Sequence, residues 1–325
     1  SEVRQMKQIR KKHKFSLPAT ITVCIALAIV FYLSLSYFLE GYRRDIYDRI
    51  INSNISALKE TTNTLISKTT EGFNHCQHEI RVLGIGMSED LKENGFDSMD
   101  GLSEEDRSYI RDFNRVSVFD YCVLLNESGR GVYSEGTAVK PINLYSSQAY
   151  VDCLTSPDGE AISFISDPFS ASGKDVVAFS CRTGSVILIG IYSQDSFRSL
   201  YDSTTFGDNA SYMITTDSGL ILSRTHVNQE LGESLNLFTY FEENPKNAGF
   251  FTPDDQGRTD CDRVLWDFRN DKSGSAEIYF GDSRYELVYA PVPGTGWDFI
   301  SCVSYDHITA DAVQINQETI HLTVF

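Results

Sequence analysis

The chain has 325 residues, 41% of them hydrophobic and 22% charged, which is enough to build a real core and excludes a disordered or fibrous polymer. Its formal net charge of −17 is unevenly placed: residues 1–16 carry six Lys or Arg against one Glu, a net +5, so the rest sums to −22. An acidic body of that kind repels phosphate backbones, which argues against nucleic acid and for a small solute as partner.

Between Lys14 and Glu40 no residue is charged, and the stretch is rich in Ile, Leu, Val, Ala and Phe. A helix needs roughly 20 such residues to cross ~30 Å of hydrocarbon, so residues 15–39 are expected to form a transmembrane helix with some tilt. A secretory leader has a shorter apolar core, about 7–15 residues, and small residues at its cleavage site, where this chain has Tyr37 and Phe38. The basic cluster predicts a cytoplasmic tail over residues 1–14 and an extracytoplasmic location for everything after Glu40. Of the seven cysteines, Cys24 falls in the span and Cys76, Cys122, Cys153, Cys181, Cys261 and Cys302 fall outside. An even number permits disulfides, but no close CxxC pair selects a pairing, and isolated buried thiols fit equally well.

From Gly41 to about Gly84 there is no proline, and Ile51, Ile55, Leu58, Thr62, Leu65, Thr69, Phe73, Cys76, Ile80 and Leu83 recur in steps of three and four. That is one helical stripe, so residues 40–86 are expected to continue upward as a stalk helix. Part of the stripe is expected to face a second copy in a coiled-coil-like homodimer, the alternative being packing against its own domain. The acidic segment Met87–Glu105, broken at Asn94-Gly95 and Asp100-Gly101, reads as a connection.

Short β-branched or aromatic runs follow at Val118–Leu125, Ala161–Ile165, Val176–Cys181 and Val186–Tyr192, with one short helix at Ser147–Leu154 before the turn Ser156-Pro157-Asp158-Gly159. A second cycle repeats the layout. Ser211–Thr216 and Leu220–Ser223 are strands about the turn Asp217-Ser218-Gly219, and a polar helical region extends to about Asn270. Strands return at Ser275–Phe280, Tyr285–Ala290 and Trp297–Val303, the first two joined by a hairpin turn at Gly281-Asp282-Ser283. The predicted fold class is α+β: a long N-terminal helix carrying two antiparallel-sheet modules.

Several segments resemble one family. YELVYAPVPGTGWDFISCVSYD (Tyr285–Asp306) is similar to the closing strands, and ITTDSGLILSRTHVNQELGESL (Ile214–Leu235) to the opening strand pair, of a membrane-proximal module in double-Cache sensor domains, which are paired PAS-like modules. CVLLNESGRGVYS, NLYSSQAYVDCL and ISDPFSASGKDVVAFS resemble the strand-turn-strand, ligand-facing helix and following strands of the membrane-distal module. The resemblance covers about residues 40–308. It implies a membrane-distal module over 87–205, a membrane-proximal module over 206–308, and a return helix over 309–325 leading toward a second transmembrane span.

What the family implies is an extracytoplasmic sensor in a bacterial cell membrane, signalling to a diguanylate cyclase, a histidine kinase or a chemotaxis-type domain. The other reading is a membrane-anchored surface binding or adhesion protein. The amino-acid-binding subset has an Arg-x-Trp-Tyr run, a Tyr-x-Asp and a later Asp. The matching positions here hold Ser147, Ala149 and Tyr150, then Phe169 and Ala171, then Tyr192, so the cation and anions that would grip an amino acid are missing. The candidate ligand-binding residues are Tyr133, Tyr150, Phe169 and Phe179 as aromatic wall, with Asp167 and Arg182 as polar anchors.

No phosphate-cradling glycine loop, HExxH or GxSxG elbow occurs, so no catalytic residue, cofactor or metal is assigned and the segment is not expected to be an enzyme. His75, Cys76, His78 and Glu79 cluster on the long helix. At that spacing they read as surface residues rather than metal ligands.

Overall fold

The computed structural model describes residues 17–98, 101–135, 138–169, 175–201, 205–225, 236–244, 247 and 260–324. The basic tail of residues 1–14, Ala171, and most of the polar stretch before Asp260 lie outside them. Helix α1 runs unbroken over Leu17–Gly86, 70 residues. Its early part is long and apolar enough to cross a membrane and is nowhere buried in protein, with Phe31 70% and Tyr37 85% exposed. The chain divides into two compact units. One takes α1 up to Ile55 together with the final helix from Ile308, where the Asn54 side-chain amide donates to the Ile308 carbonyl at 2.7 Å. The other runs from Ser56 to His307.

In the second unit α1 is a spine. Leu58, Thr62, Leu65, Thr69, Phe73, Cys76, Ile80 and Leu83 are all buried, so this length of the stripe is consumed within its own chain. Along this length the stripe follows the alternative of packing against its own domain: two sheets, each with an apolar back face, cover the positions.

The first sheet has the order β3-β2-β1-β6-β5-β4. Its strands are β1 Tyr121–Asn126, β2 Arg130–Glu135, β3 Ala138–Asn143, β4 Glu160–Ser166, β5 Asp175–Thr183 and β6 Val186–Tyr192. The second, β8-β7-β11-β10-β9, comprises β7 Ala210–Thr216, β8 Ile221–Arg224, β9 Gly274–Phe280, β10 Ser283–Val292 and β11 Trp297–Ser304. All pairings are antiparallel.

The expected elements are present with small shifts of boundary. Two helices fall where a connection was expected: α2 Glu89–Asn94 and the first part of α3 Glu104–Val116. Ser88 and Ser103 cap them, and the buried Asp106 carboxylate accepts from the Ser88 amide and from both serine hydroxyls, at 2.6–3.1 Å. Glu89, Asp90, Glu104 and Glu105 of that stretch are first-turn residues of helices, where the helix dipole favours them. Strand β3 was not anticipated either. It contains Pro141, which an edge strand tolerates because one side of its ladder is open.

Both sheets rest on α1. The Thr62 and Ser301 hydroxyls share a hydrogen bond of 2.8 Å, tying the spine to β11. Gln77 donates to the Ser180 carbonyl of β5 at 2.9 Å, and Gly84 lets α1 approach until a Cβ would sit 2.5 Å from the Thr183 hydroxyl. Between these points Phe73 packs edge-on against Phe179 of β5 at 5.7 Å and Trp297 of β11 at 5.8 Å. It also stacks on Phe197 at 5.6 Å, in helix α5 (Gln194–Tyr201) that joins the modules. One ring thus belongs to both cores.

Truncation of this 2% exposed side chain leaves a cavity that neither sheet fills alone. Phe73→Ala is expected to cost about 3–5 kcal/mol in chemical denaturation. The loss should appear as one cooperative transition at lower denaturant rather than as separate melting of the modules.

Candidate functional site

The front face of the first sheet, away from α1, is set by strand register. Tyr121, Val123 and Leu125 of β1 stand there beside Tyr133 of β2 and Ile187, Ile189 and Ile191 of β6. Helix α4, Gln148–Thr155, covers part of it with Ala149, Tyr150 and Cys153, whose sidedness follows from helical spacing. The Tyr150 hydroxyl donates to the Glu127 carbonyl at 2.6 Å, and the Ser163 hydroxyl to Asp152 at 2.6 Å. These bonds hold α4 to the β1–β2 turn and to β4.

Where α4 ends, three rings take over. Phe169 lies 4.2 Å from Tyr121 and 4.4 Å from Tyr133 between centroids, and the two tyrosines are 6.1 Å apart. All three are only partly buried. Asp167 accepts from the Phe169 amide at 2.8 Å, a short turn that presents the ring to the sheet. Lys140, opposite Tyr133 across the β2–β3 ladder, is bonded to Glu135. The Tyr121 phenol is pushed above its ordinary pKa, first by burial and then by the carboxylates of Asp167, Glu135 and Asp120. Alongside, a cavity of about 330 Å³ opens between Ser146, Ser147 and Gln148 at the start of α4 and Ile165, Ser166 and Pro168. That is within the size range of small-molecule sites.

Of the residues expected to line a site, Tyr133, Phe169 and Asp167 come together here, and Tyr150 lies in the same core with its hydroxyl already engaged. Two do not join them. Phe179 is fully buried on the back face, between Phe73 and Phe119, because its strand position has the opposite parity to Ala178. Arg182 has the right parity but is exposed, pairs with Glu127 at 3.0 Å, and lies six residues along β5 from Val176, roughly 20 Å of strand. Tyr192, matched to an acidic position of the family, also packs on the back, 6.3 Å from Phe179. Sequence reasoning missed Tyr121, Glu135 and Lys140. The one available signal was that Tyr121 alternates in step with Val123 and Leu125.

The second module's front face is filled by its own side chains. Helices α6 (Leu237–Glu243) and α7 (Asp260–Arg269) set Leu237, Phe238, Phe241, Val264 and Phe268 against β7, β9, β10 and β11. The Tyr289 phenol donates to Asp267 at 2.6 Å. Asp298 is the exception. It is 3% exposed, and among the described residues neither its Oδ1 nor the Oγ1 of its cross-strand partner Thr215 has a hydrogen-bond partner. Burial, with Asp271 and Asp217 nearby, pushes its carboxyl up to about 7.

Among the described residues the seven cysteines form no disulfide. Burial raises Cys76, Cys122 and Cys302 to about 12 and Cys153 to about 11, so these thiols are protonated packing groups rather than nucleophiles. His75 and Glu79 pair at 3.2 Å on α1, and no three potential ligands gather as a metal site among the described residues.

No family model and no curated protein matches the sequence. Solved structures do. The ligand-binding domain of the Campylobacter jejuni chemoreceptor Tlp3, in complex with 4-methylisoleucine, aligns over 80% of this chain and 94% of its own, at 10% identity and a TM-score of 0.56. The extracellular domain of a protein described as a histidine kinase, soHK1S-Z6, aligns over 82% and 99%, at 15% identity and 0.54. The ligand-binding domain of the Pseudomonas aeruginosa PAO1 amino acid chemoreceptor PctB, with L-Arg, aligns over 77% and 95%, at 14% identity and 0.52. The chain therefore has the fold of bacterial sensory ligand-binding domains, the paired-module arrangement that the double-Cache resemblance implies.

The Asp298 carboxyl sets a pH dependence whose sign follows from its raised value. The folded state holds a proton that the unfolded chain releases near pH 4, so this group's contribution is fully present at lower pH and is lost as pH rises toward about 7. Asp298→Asn removes the titration. Denaturation midpoints taken from about pH 5 to about pH 8 should show the variant gaining on the natural chain as pH rises.

Proposed function

We propose that this chain is the input region of a bacterial membrane receptor, which captures a small molecule on the front face of its first module and transmits binding through α1. The observation that carries the reading is the aromatic group of Tyr121, Tyr133 and Phe169 beside a cavity, on a fold shared with sensory ligand-binding domains. In this reading residues 1–14 are cytoplasmic, 15–39 cross the membrane and 40–86 form the spine. Residues 87–205 are the membrane-distal module, 206–308 the membrane-proximal one, and 309–325 return toward the bilayer. Ligand capture biases paired helices between two states and so a cytoplasmic effector of the cyclase, kinase or chemotaxis type. A homodimer built on α1 uses its outward polar face, with Lys59, Asn63, Ser67 and Lys68, since the apolar stripe faces inward.

The test is a thermal-shift screen of the chain in lipid nanodiscs. A ligand at roughly a hundredfold excess over its Kd adds about 2.7 kcal/mol to the folded state and raises the midpoint by several degrees. Tyr133→Leu and Phe169→Leu should abolish that shift. Phe179→Leu should lower the unliganded midpoint and leave the shift in place. Loss of the shift in Phe179→Leu alone, or protease protection placing the acidic body in the cytosol, would overturn the assignment.

A further inference from the structure

We propose that the front-face site takes an organic cation, an amine or quaternary ammonium without a carboxylate of its own, held on the faces of Tyr121, Tyr133 and Phe169 and balanced by Asp167. This inference rests on reading that face as the ligand site and adds the chemical class.

Two independent features of the site point the same way. The first is the rings. Three aromatic side chains converge within 4.2–6.1 Å of one another on a sheet face whose other buried strand residues are aliphatic, and all three stay partly open to solvent. An aromatic face attracts a cation lying within about 6 Å of its centroid, and the attraction grows as water is excluded. A purely apolar ligand would be served equally well by the Ile, Leu and Val that line the rest of the face.

The second is charge. Asp120, Glu135 and Asp167 all act on the Tyr121 phenol, against one ammonium among the described residues, Lys140. Lys140 is bonded to Glu135, which among the described residues leaves Asp167 uncompensated on this face and Asp120 uncompensated at its edge, where it also acts on Tyr192. Asp120 accepts from the Ser193 amide at 2.7 Å through one oxygen, and Asp167 from the Phe169 amide through one oxygen, so each keeps a second acceptor. The arginine of correct parity, Arg182, is paired with Glu127 far along β5 and offers no fork for a carboxylate at the rings. A negative field over aromatic faces favours a cation and disfavours an anion or a zwitterion's carboxylate. The adjoining 330 Å³ cavity, lined by Ile165, Pro168 and the serines before α4, gives an alkyl portion somewhere to go.

The experiment titrates the full chain in nanodiscs with tetramethylammonium, choline and butylamine, and separately with L-isoleucine, L-arginine and malate, reading Kd by calorimetry. At least one of the three cations is expected to bind. Tyr133→Leu and Phe169→Leu should each weaken it roughly tenfold or more, and Tyr133→Phe, which keeps the ring face, should change it little. Asp167→Asn should weaken it several-fold and flatten its dependence on salt. If no cation binds up to about 10 mM, the cation class is overturned. If L-isoleucine or malate binds instead and is lost in Tyr133→Leu, the class is overturned while the site stands. If a cation binds and none of these substitutions alters its Kd, both the class and the site are overturned.

Discussion

The structure depends on one apolar stripe along α1. Two antiparallel sheets of five and six strands cannot each close a core against solvent, and both use the same helix as the missing layer. Phe73 makes the sharing concrete, since one ring completes packing with β5, β11 and α5 at once. Small and polar groups on the same stripe, Thr62 and Gly84, set how closely the sheets approach it. A displacement of α1 therefore changes contacts in both modules together.

Because the back face is committed to that packing, the front face of the first module is where the chain has freedom to vary. Helix α4 closes one half by fitting Ala149, Tyr150 and Cys153 between strands, and buries its polar groups in specific bonds to Glu127 and Ser163. The other half is left to three rings and a set of carboxylates. The corresponding face of the second module is filled by Phe238, Phe241 and Phe268, so the two modules share a scaffold and differ in whether their front face is occupied from within.

The second module instead carries a buried acid whose Oδ1 has no hydrogen-bond partner among the described residues. Asp298 and Thr215 face each other across β11 and β7, away from water, and the energetic tension is relieved by keeping the carboxyl protonated over the acid range. The thiols tell the complementary story. Cys76, Cys122 and Cys302 are buried, raised in pKa by the same loss of solvation, and serve as small apolar side chains.

Periodicity was enough to read the spine, the strands and the two-module order, because helices and strands impose spacings of 3.6 and 2 on any buried face. The resemblance to paired sensory modules was legible for the same reason, carried by the turn residues and closing strands of the second module. Short acidic helices such as α2 and α3 were not, since they expose most of their surface and their capping serines look like loop residues until Asp106 is seen between them. The membership of the site was legible only in part. Strands β1, β5 and β6 are apolar on both faces, so alternation says that Phe179 and Ala178 point opposite ways without saying which way is forward. Only the packing of α1 against one side and α4 against the other assigns the faces, sending Phe179 into the core and gathering Tyr121, Tyr133, Asp167 and Phe169 at the front.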